Sequence, residues 1–177
     1  MGIRAVIIDN REPEWVQKLS FGGVPTTVAT LEYGDLQVLC DDDSTLFIER
    51  KTSDDLLGSI KDERLMVQMA KCANAKYESQ LFDQRIDPVW SYLVITGTFY
   101  PGVNGKVVTE RGITGWNWNS VMGVLINVQE MGVPVVFSPD NASYEKTVML
   151  LAGRNRDPQT TVLPPRPPLI LSPGHQV

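Results

Sequence analysis

The sequence predicts an α/β protein in which helices cover the faces of a mixed β-sheet. Three observations carry this. Short apolar runs at 3–8, 92–96 and 133–137 read as strands buried on both faces. Segments with apolar residues at helical spacing, at 53–76, 121–128 and 144–151, alternate with them. Turn chemistry at 41–44, Asp-Asp-Asp-Ser, separates two further strand-like runs and marks a hairpin over 35–51. The order β-α-β-β-β-α-β-α-β-α implies a mixed sheet.

Taken in order, the first strand ends at Asp9. Arg11-Glu12-Pro13-Glu14 then begins a turn or short helix, with proline suited to the first turn. Residues 24–31 read as extended chain, which Gly34 breaks. The hairpin arms are 36–40 and 45–50. Ser53 with Asp54 and Asp55 reads as a helix N-terminus, since the hydroxyl caps free N–H groups and the carboxylates meet the positive end of the dipole. Helical patterning runs on to about 76, with a break or a second cap expected at Asp62. Leu65, Met69 and Cys72 share one face, and Arg64, Gln68 and Lys71 a neighbouring one. Residues 97–119 read as a loop or hairpin. Phe99, Tyr100, Trp116 and Trp118 there, with Lys106 and Arg111, suit either a base-stacking loop or a β-hairpin whose aromatics cover the core. The second is preferred, because Trp116 lies beside a helix start. Gly132 and Gly153 stop the last two helices. A domain over 1–153 is therefore expected, followed by a Pro-rich tail or linker at 154–177.

Composition narrows the function. The 177 residues are 42% hydrophobic and 21% charged, ordinary for a globular domain of this size. No run of eighteen apolar residues is present, and the N-terminus does not read as a secretory signal. Cys40 and Cys72 are too few for a disulfide framework and are expected as small core residues in an intracellular protein. His175 is the only histidine, which argues against structural zinc and against histidine-based catalysis. The glycines match no phosphate-loop pattern. A net charge of −5 makes the chain a poor general polyanion binder, so any nucleic-acid footprint must be local.

The informative residues are carboxylates at strand ends. Asp35 begins one hairpin arm and Glu49 ends the other, so antiparallel pairing sets them side by side. Glu49 and Lys51, two apart, project to one face. Asp55, in the first turn of the next helix, can approach the same spot. Acidic oxygens beside a lysine suit a Mg²⁺ site that hydrolyses phosphodiesters.

The residues Gly34-Asp35 and Glu49-Arg50-Lys51, then three residues and Asp55, resemble the signature of the XPF-type structure-selective nucleases. Asp9-Asn10-Arg11-Glu12 resembles the Asp-x-Arg-Glu after that family's first strand. The segment 59–65 with Gln68, and 132–140, are similar to later parts of its domain. The resemblance covers roughly 3–155. It implies a restriction-endonuclease-like fold and Mg²⁺- or Mn²⁺-dependent cleavage of branched, flapped or forked DNA in repair or recombination. It makes Asp35 and Glu49 metal ligands, Lys51 and Asp55 catalytic residues, and Asp9 and Glu12 further acids at the metal. Arg11, Arg50, Lys61, Arg64, Gln68 and Lys71 become DNA contacts.

Glu63 departs from the pattern, standing where relatives often carry Gly before the Arg. Relatives usually carry tandem helix-hairpin-helix repeats after this domain; either a lone nuclease module suffices here, a homodimer or a partner subunit supplies the second domain, or the chain is a fragment. A short standalone nuclease is compatible with a cytoplasmic, nuclear or viral setting. The alternative function is a catalytically silent DNA-binding or scaffold subunit with the same fold. One expectation concerns stability: removal of 158–177 should leave the melting temperature unchanged. A large drop would show that the tail packs on the domain.

Overall fold

The computed structural model describes residues 2–82 and 89–154. Apart from Arg154, the expected tail lies outside the described residues. The elements are β1 (Ile3–Asp9), α1 (Glu14–Gln17), β2 (Thr26–Ala29), β3 (Leu36–Cys40), β4 (Thr45–Thr52), α2 (Ser53–Lys61) and α3 (Arg64–Phe82). There follow β5 (Val89–Thr96), β6 (Tyr100–Pro101), β7 (Lys106–Thr109), β8 (Gly112–Asn117), α4 (Trp118–Glu130), β9 (Val135–Ser138) and α5 (Asn141–Ala152).

Six strands form one sheet in the order β2-β1-β3-β4-β5-β9. The antiparallel neighbours β1, β3 and β4 meet the parallel set β4, β5 and β9. The sheet is thus mixed, as the element order implies. Alternation along the strands makes two cores. On one face, Val6, Ile8, Leu36, Ile48 and Val94 pack with Val16 of α1 and with Tyr144 and Val148 of α5. On the other, Leu93 and Ile95 pack with Leu56, Leu65, Met69 and Leu125 from α2, α3 and α4. Among the described residues, no helix is long and apolar enough to cross a membrane.

One feature differs from the sequence reading and another, the break expected at Asp62, takes a definite form. Residues 100–117 form a separate three-stranded sheet, β6-β7-β8. Trp116, Trp118 and Phe99 pack against its Val107 and against Leu57 and Val121, so these aromatics do serve the core. Strands this short leave little periodic signal. The helical stretch after β4 also divides. Asp62 is the C-cap of α2, donating its N–H to the Gly58 carbonyl, and Glu63 adopts a left-handed φ of 58°. The N-cap of α2 is Thr52, one residue earlier than expected. Its Oγ1 accepts from the Asp55 N–H at 3.1 Å and donates to Asp55 Oδ2 at 2.7 Å.

Leu93 is fully buried between the sheet and the helices over its second face. Leu93→Ala should lower unfolding stability by about 2–5 kcal/mol, measured by urea titration. A change below about 1 kcal/mol would show that this face of the sheet is loosely packed.

Candidate active site

Backbone geometry at Gly34 sets the site. Gly34 has a φ of +64°, and a Cβ there would stand 3.0 Å from the Ile48 carbonyl oxygen. Only glycine makes this turn without pushing β3 off β4. The next residue, Asp35, is pinned on three sides. Its N–H donates to Ile48 O at 2.8 Å, its C=O accepts from Asp9 N at 2.8 Å, and its Oδ2 accepts from Arg50 N at 2.7 Å.

Strand alternation places the rest. Glu49 and Lys51 pair in register with Leu93 and Ile95, and so share the face of α2 and α3. Lys51 Nζ lies 3.2 Å from Glu49 Oε1, and both side chains are almost wholly buried. Arg50 pairs with Val94 and faces the other side. Its Nε and Nη2 donate to Glu12 at 2.5 and 3.2 Å, and its guanidinium stands 5.5 Å from the Trp15 ring centre. Burial alone would pull the Arg50 guanidinium down, but Glu12 holds it above its ordinary value.

Asp35, Glu49, Lys51, Asp55 and Glu12 line one cavity of about 550 Å³, walled on one side by Arg64, Gln68 and Lys71 of α3 and rimmed by Arg11. Burial pushes the Asp35 carboxyl up to about 8, with the nearby charges of Glu49 and Glu12 adding to it. The same burial, followed by Glu49 and Asp35, pushes the Cys72 thiol in the cavity wall up to about 12, so it is no thiolate nucleophile. Gln68 Oε1 is buried there without a hydrogen-bond partner.

Several expected roles do not fit this geometry. Asp9, expected at the metal, is saturated by Arg11 and Leu31 and does not line the cavity. The Arg11 guanidinium beside it is the main cause holding its carboxyl down to about 2. Glu12 lines the cavity, and Arg50 donates one hydrogen bond to each of its oxygens, which leaves a lone pair on each. Arg50, expected at DNA, also lines the cavity, with its guanidinium tied to Glu12 and set over the Trp15 ring. Lys61 is exposed at the end of α2 and does not line the cavity, because the turn at Glu63 breaks the stripe that would have joined it to Arg64. Arg64 is exposed and pairs with Asp62 at 3.0 Å. Asp55 sits at the rim, bound to Thr52. Glu32, Tyr33 and Asp54 also line the cavity and escaped the sequence reading, although Glu32 and Tyr33 immediately precede Gly34-Asp35.

The donor set decides which cation would fit. Among the described residues, no group of three His, Cys, Asp or Glu side chains could hold a metal by itself. Asp35 and Glu49 remain, two crowded carboxylates facing an open cavity. Oxygen ligands this few suit a hard cation that keeps most of its waters. The raised proton affinity of Asp35 comes first from desolvation and then from the charges of Glu49 and Glu12, and a cation beside the two carboxylates would oppose both.

These features define a nuclease-type α/β domain. Residues 8–149 match the model of the ERCC4 domain, and the chain belongs to that family, carrying an XPF-type nuclease domain. No curated protein sequence matches it. The fold is similar to a solved structure of XPF from Aeropyrum pernix, with a TM-score of 0.60 and 21% identity over 84% of this chain and 63% of that one. A second structure of that protein, in complex with DNA, matches with a TM-score of 0.58 and 21% identity, covering 84% and 64%. The chain thus spans less than two thirds of the length of these solved proteins.

The half-buried acid generates a pH prediction. Folded Asp35 holds its proton up to about 8, whereas the ordinary carboxyl releases it near 3.8. Stability contributed by the neutral form is complete below about 4 and is lost as pH rises through about 8. Without divalent cation, wild type should therefore lose melting temperature from pH 6 to 9 relative to Asp35→Asn. The difference at pH 9 should be about 3 °C or more. Added Mg²⁺ should restore wild type and leave the variant unchanged. Identical pH profiles for the two proteins would show that Asp35 is not crowded.

Proposed function

We propose that this protein is a metal-dependent DNA endonuclease acting on branched, flapped or forked DNA, in repair or recombination. The observation that supports the reading is the convergence of half-buried Asp35 with buried Glu49 and Lys51 on one open cavity, in a member of the ERCC4-domain family. Asp35 and Glu49 would hold Mg²⁺ or Mn²⁺. When bound, the cation supplies a Lewis acid for a phosphoryl oxygen and a lowered pKa for a coordinated water.

This chain's own residues do the rest. The Arg50 N–H fixes the Asp35 carboxylate before substrate arrives, so its orientation costs nothing at the moment of reaction. Lys51 is preorganised against Glu49 with little of its side chain exposed, so its ammonium acts on charge developing at the phosphoryl group more strongly than a free lysine in water would. The walls supply Arg64, Lys71 and the amide N–H groups of Gln68 as donors for the DNA backbone. With few cations free on a chain of net charge −5, a shallow dependence of affinity on salt follows. Duplex alone should bind weakly, so a branched substrate or a second subunit strengthens engagement.

The test is cleavage of labelled fork, flap and linear duplex DNA with Mg²⁺ or Mn²⁺. Lys51→Ala should reduce the rate by about 10²–10³ while leaving DNA affinity close to wild type. Asp35→Asn should abolish cleavage and leave binding intact or slightly tighter, since a negative charge is removed beside the phosphate. Full activity in either variant would overturn the assignment. DNA binding by wild type without cleavage under either metal would indicate a silent binding subunit instead.

A further inference from the structure

We propose that Arg11 is a phosphate-binding residue on the rim of the cavity, and that Asp9 is the residue that positions it rather than a ligand of the cation. The proposal rests on the DNA reading above; the resemblance gives Arg11 to DNA and Asp9 to the metal, and the geometry instead makes Asp9 the group that orders Arg11 for a phosphate.

The four acceptor sites of the Asp9 carboxylate are all filled. Oδ1 accepts from the Arg11 N–H at 2.8 Å and from Arg11 Nε at 2.7 Å. Oδ2 accepts from Arg11 Nη2 at 2.9 Å and from the Leu31 N–H at 2.8 Å. The Asp9 side chain is 1% exposed. A carboxylate has about four lone-pair sites, so none is left for a metal ion.

Arg11 is the complement. Its side chain is 70% exposed, yet it is held as firmly as a buried one. Nε and Nη2 are docked edge-on to Asp9, and Nη2 also donates to the Leu31 carbonyl at 3.1 Å. Three of the five guanidinium hydrogens are thereby used. The two on Nη1 have no partner among the described residues, and Arg11 lines the same cavity as Asp35 and Glu49. An exposed arginine ordinarily loses rotamer freedom when it takes a ligand. This one is ordered in advance, so a phosphate oxygen at Nη1 meets a donor already in place. Arg64 and Lys71 stand on the α3 wall of the cavity. A DNA backbone laid across the carboxylates would therefore meet a cation at each side.

A purely structural role makes a different forecast. If Asp9 and Arg11 only tie the turn at 9–11 to Leu31, neutralising Arg11 leaves DNA affinity alone. The experiment measures affinity for a labelled forked duplex across a salt series, in the Lys51→Ala background. A parallel melting series measures the shift produced by Mg²⁺ alone. Arg11→Gln should weaken binding about tenfold and reduce the salt slope by about one, with the Mg²⁺ shift unchanged. Arg11→Lys should recover the slope, because it returns the charge without the fork that docks on Asp9. Asp9→Asn should match Arg11→Gln, and the double variant should be no worse than either.

Unchanged affinity and slope in Arg11→Gln would overturn the proposal. So would loss of the Mg²⁺ shift in Asp9→Asn with its retention in Arg11→Gln, which would make Asp9 a ligand. If Asp9→Asn fails to fold, the two Arg11 variants decide. A parent protein that binds no forked duplex would overturn the proposed function itself, and this assignment with it. Binding by the parent with no effect of Arg11→Gln would overturn this assignment alone.

Discussion

The contact on which the site depends is the hydrogen bond from the Arg50 N–H to the carboxylate of Asp35. Burying an acid beside two others is unfavourable, and Asp35 has Glu49 and Glu12 as neighbours. The strand pairing offsets part of that cost. The same backbone that joins β3 to β4 presents a donor to the carboxylate, and Gly34 lets the chain approach closely enough to use it. Lys51 answers Glu49 on the neighbouring position of the same face. What remains uncompensated is the elevated proton affinity of Asp35, a deficit that a hard cation would fill.

One strand serves two faces at once, and this explains why Glu49, Arg50 and Lys51 divide their work. Glu49 and Lys51 point toward α2 and α3, where the cavity lies. Arg50 points toward α1 and α5, where it meets Glu12 and the Trp15 ring. Its guanidinium thus anchors the α1 side of the molecule, while its backbone N–H serves the cavity side. Replacing Arg50 would leave Glu12 as a buried, unpaired carboxylate, a defect worth several kcal/mol on its own. Loss of activity in such a variant would therefore say nothing about contact with DNA.

How much of this was legible follows from the range of each determinant. The hairpin that joins Asp35 to Glu49 could be read directly, because period-two alternation and antiparallel pairing are local rules. The two cores were legible for the same reason. The saturation of Asp9 was not, since one of its donors is the Leu31 N–H, 22 residues away across a loop. The side taken by Arg50 follows from alternation, yet its partner Glu12 comes from another element. The break after α2 was anticipated at Asp62 but not its consequence. It depends on Glu63 adopting a backbone conformation that favours glycine, and a glutamate carries no signal for that. That turn starts a new helix at Arg64 and leaves Lys61 off the stripe.

On the proposed function an acidic protein must concentrate its positive charge, and among the described residues several cations are already paired with acids. Lys51 answers Glu49, Arg50 answers Glu12, Arg64 answers Asp62, and Arg111 answers Asp54 at 3.4 Å. These pairs differ in kind. Lys51 and Arg50 are buried, and separating either from its acid would strand a charge in low dielectric. Arg64 and Arg111 are exposed, and surface pairs of that sort are worth little in water, so exchanging a carboxylate for a phosphate costs them almost nothing. Arg11 is a third kind, with one edge fixed on a buried acid and the other edge open. Arg11 and Arg64 thus line the cavity as cations that can meet a phosphate without stranding a buried partner, whereas Lys51 and Arg50 remain bound to Glu49 and Glu12.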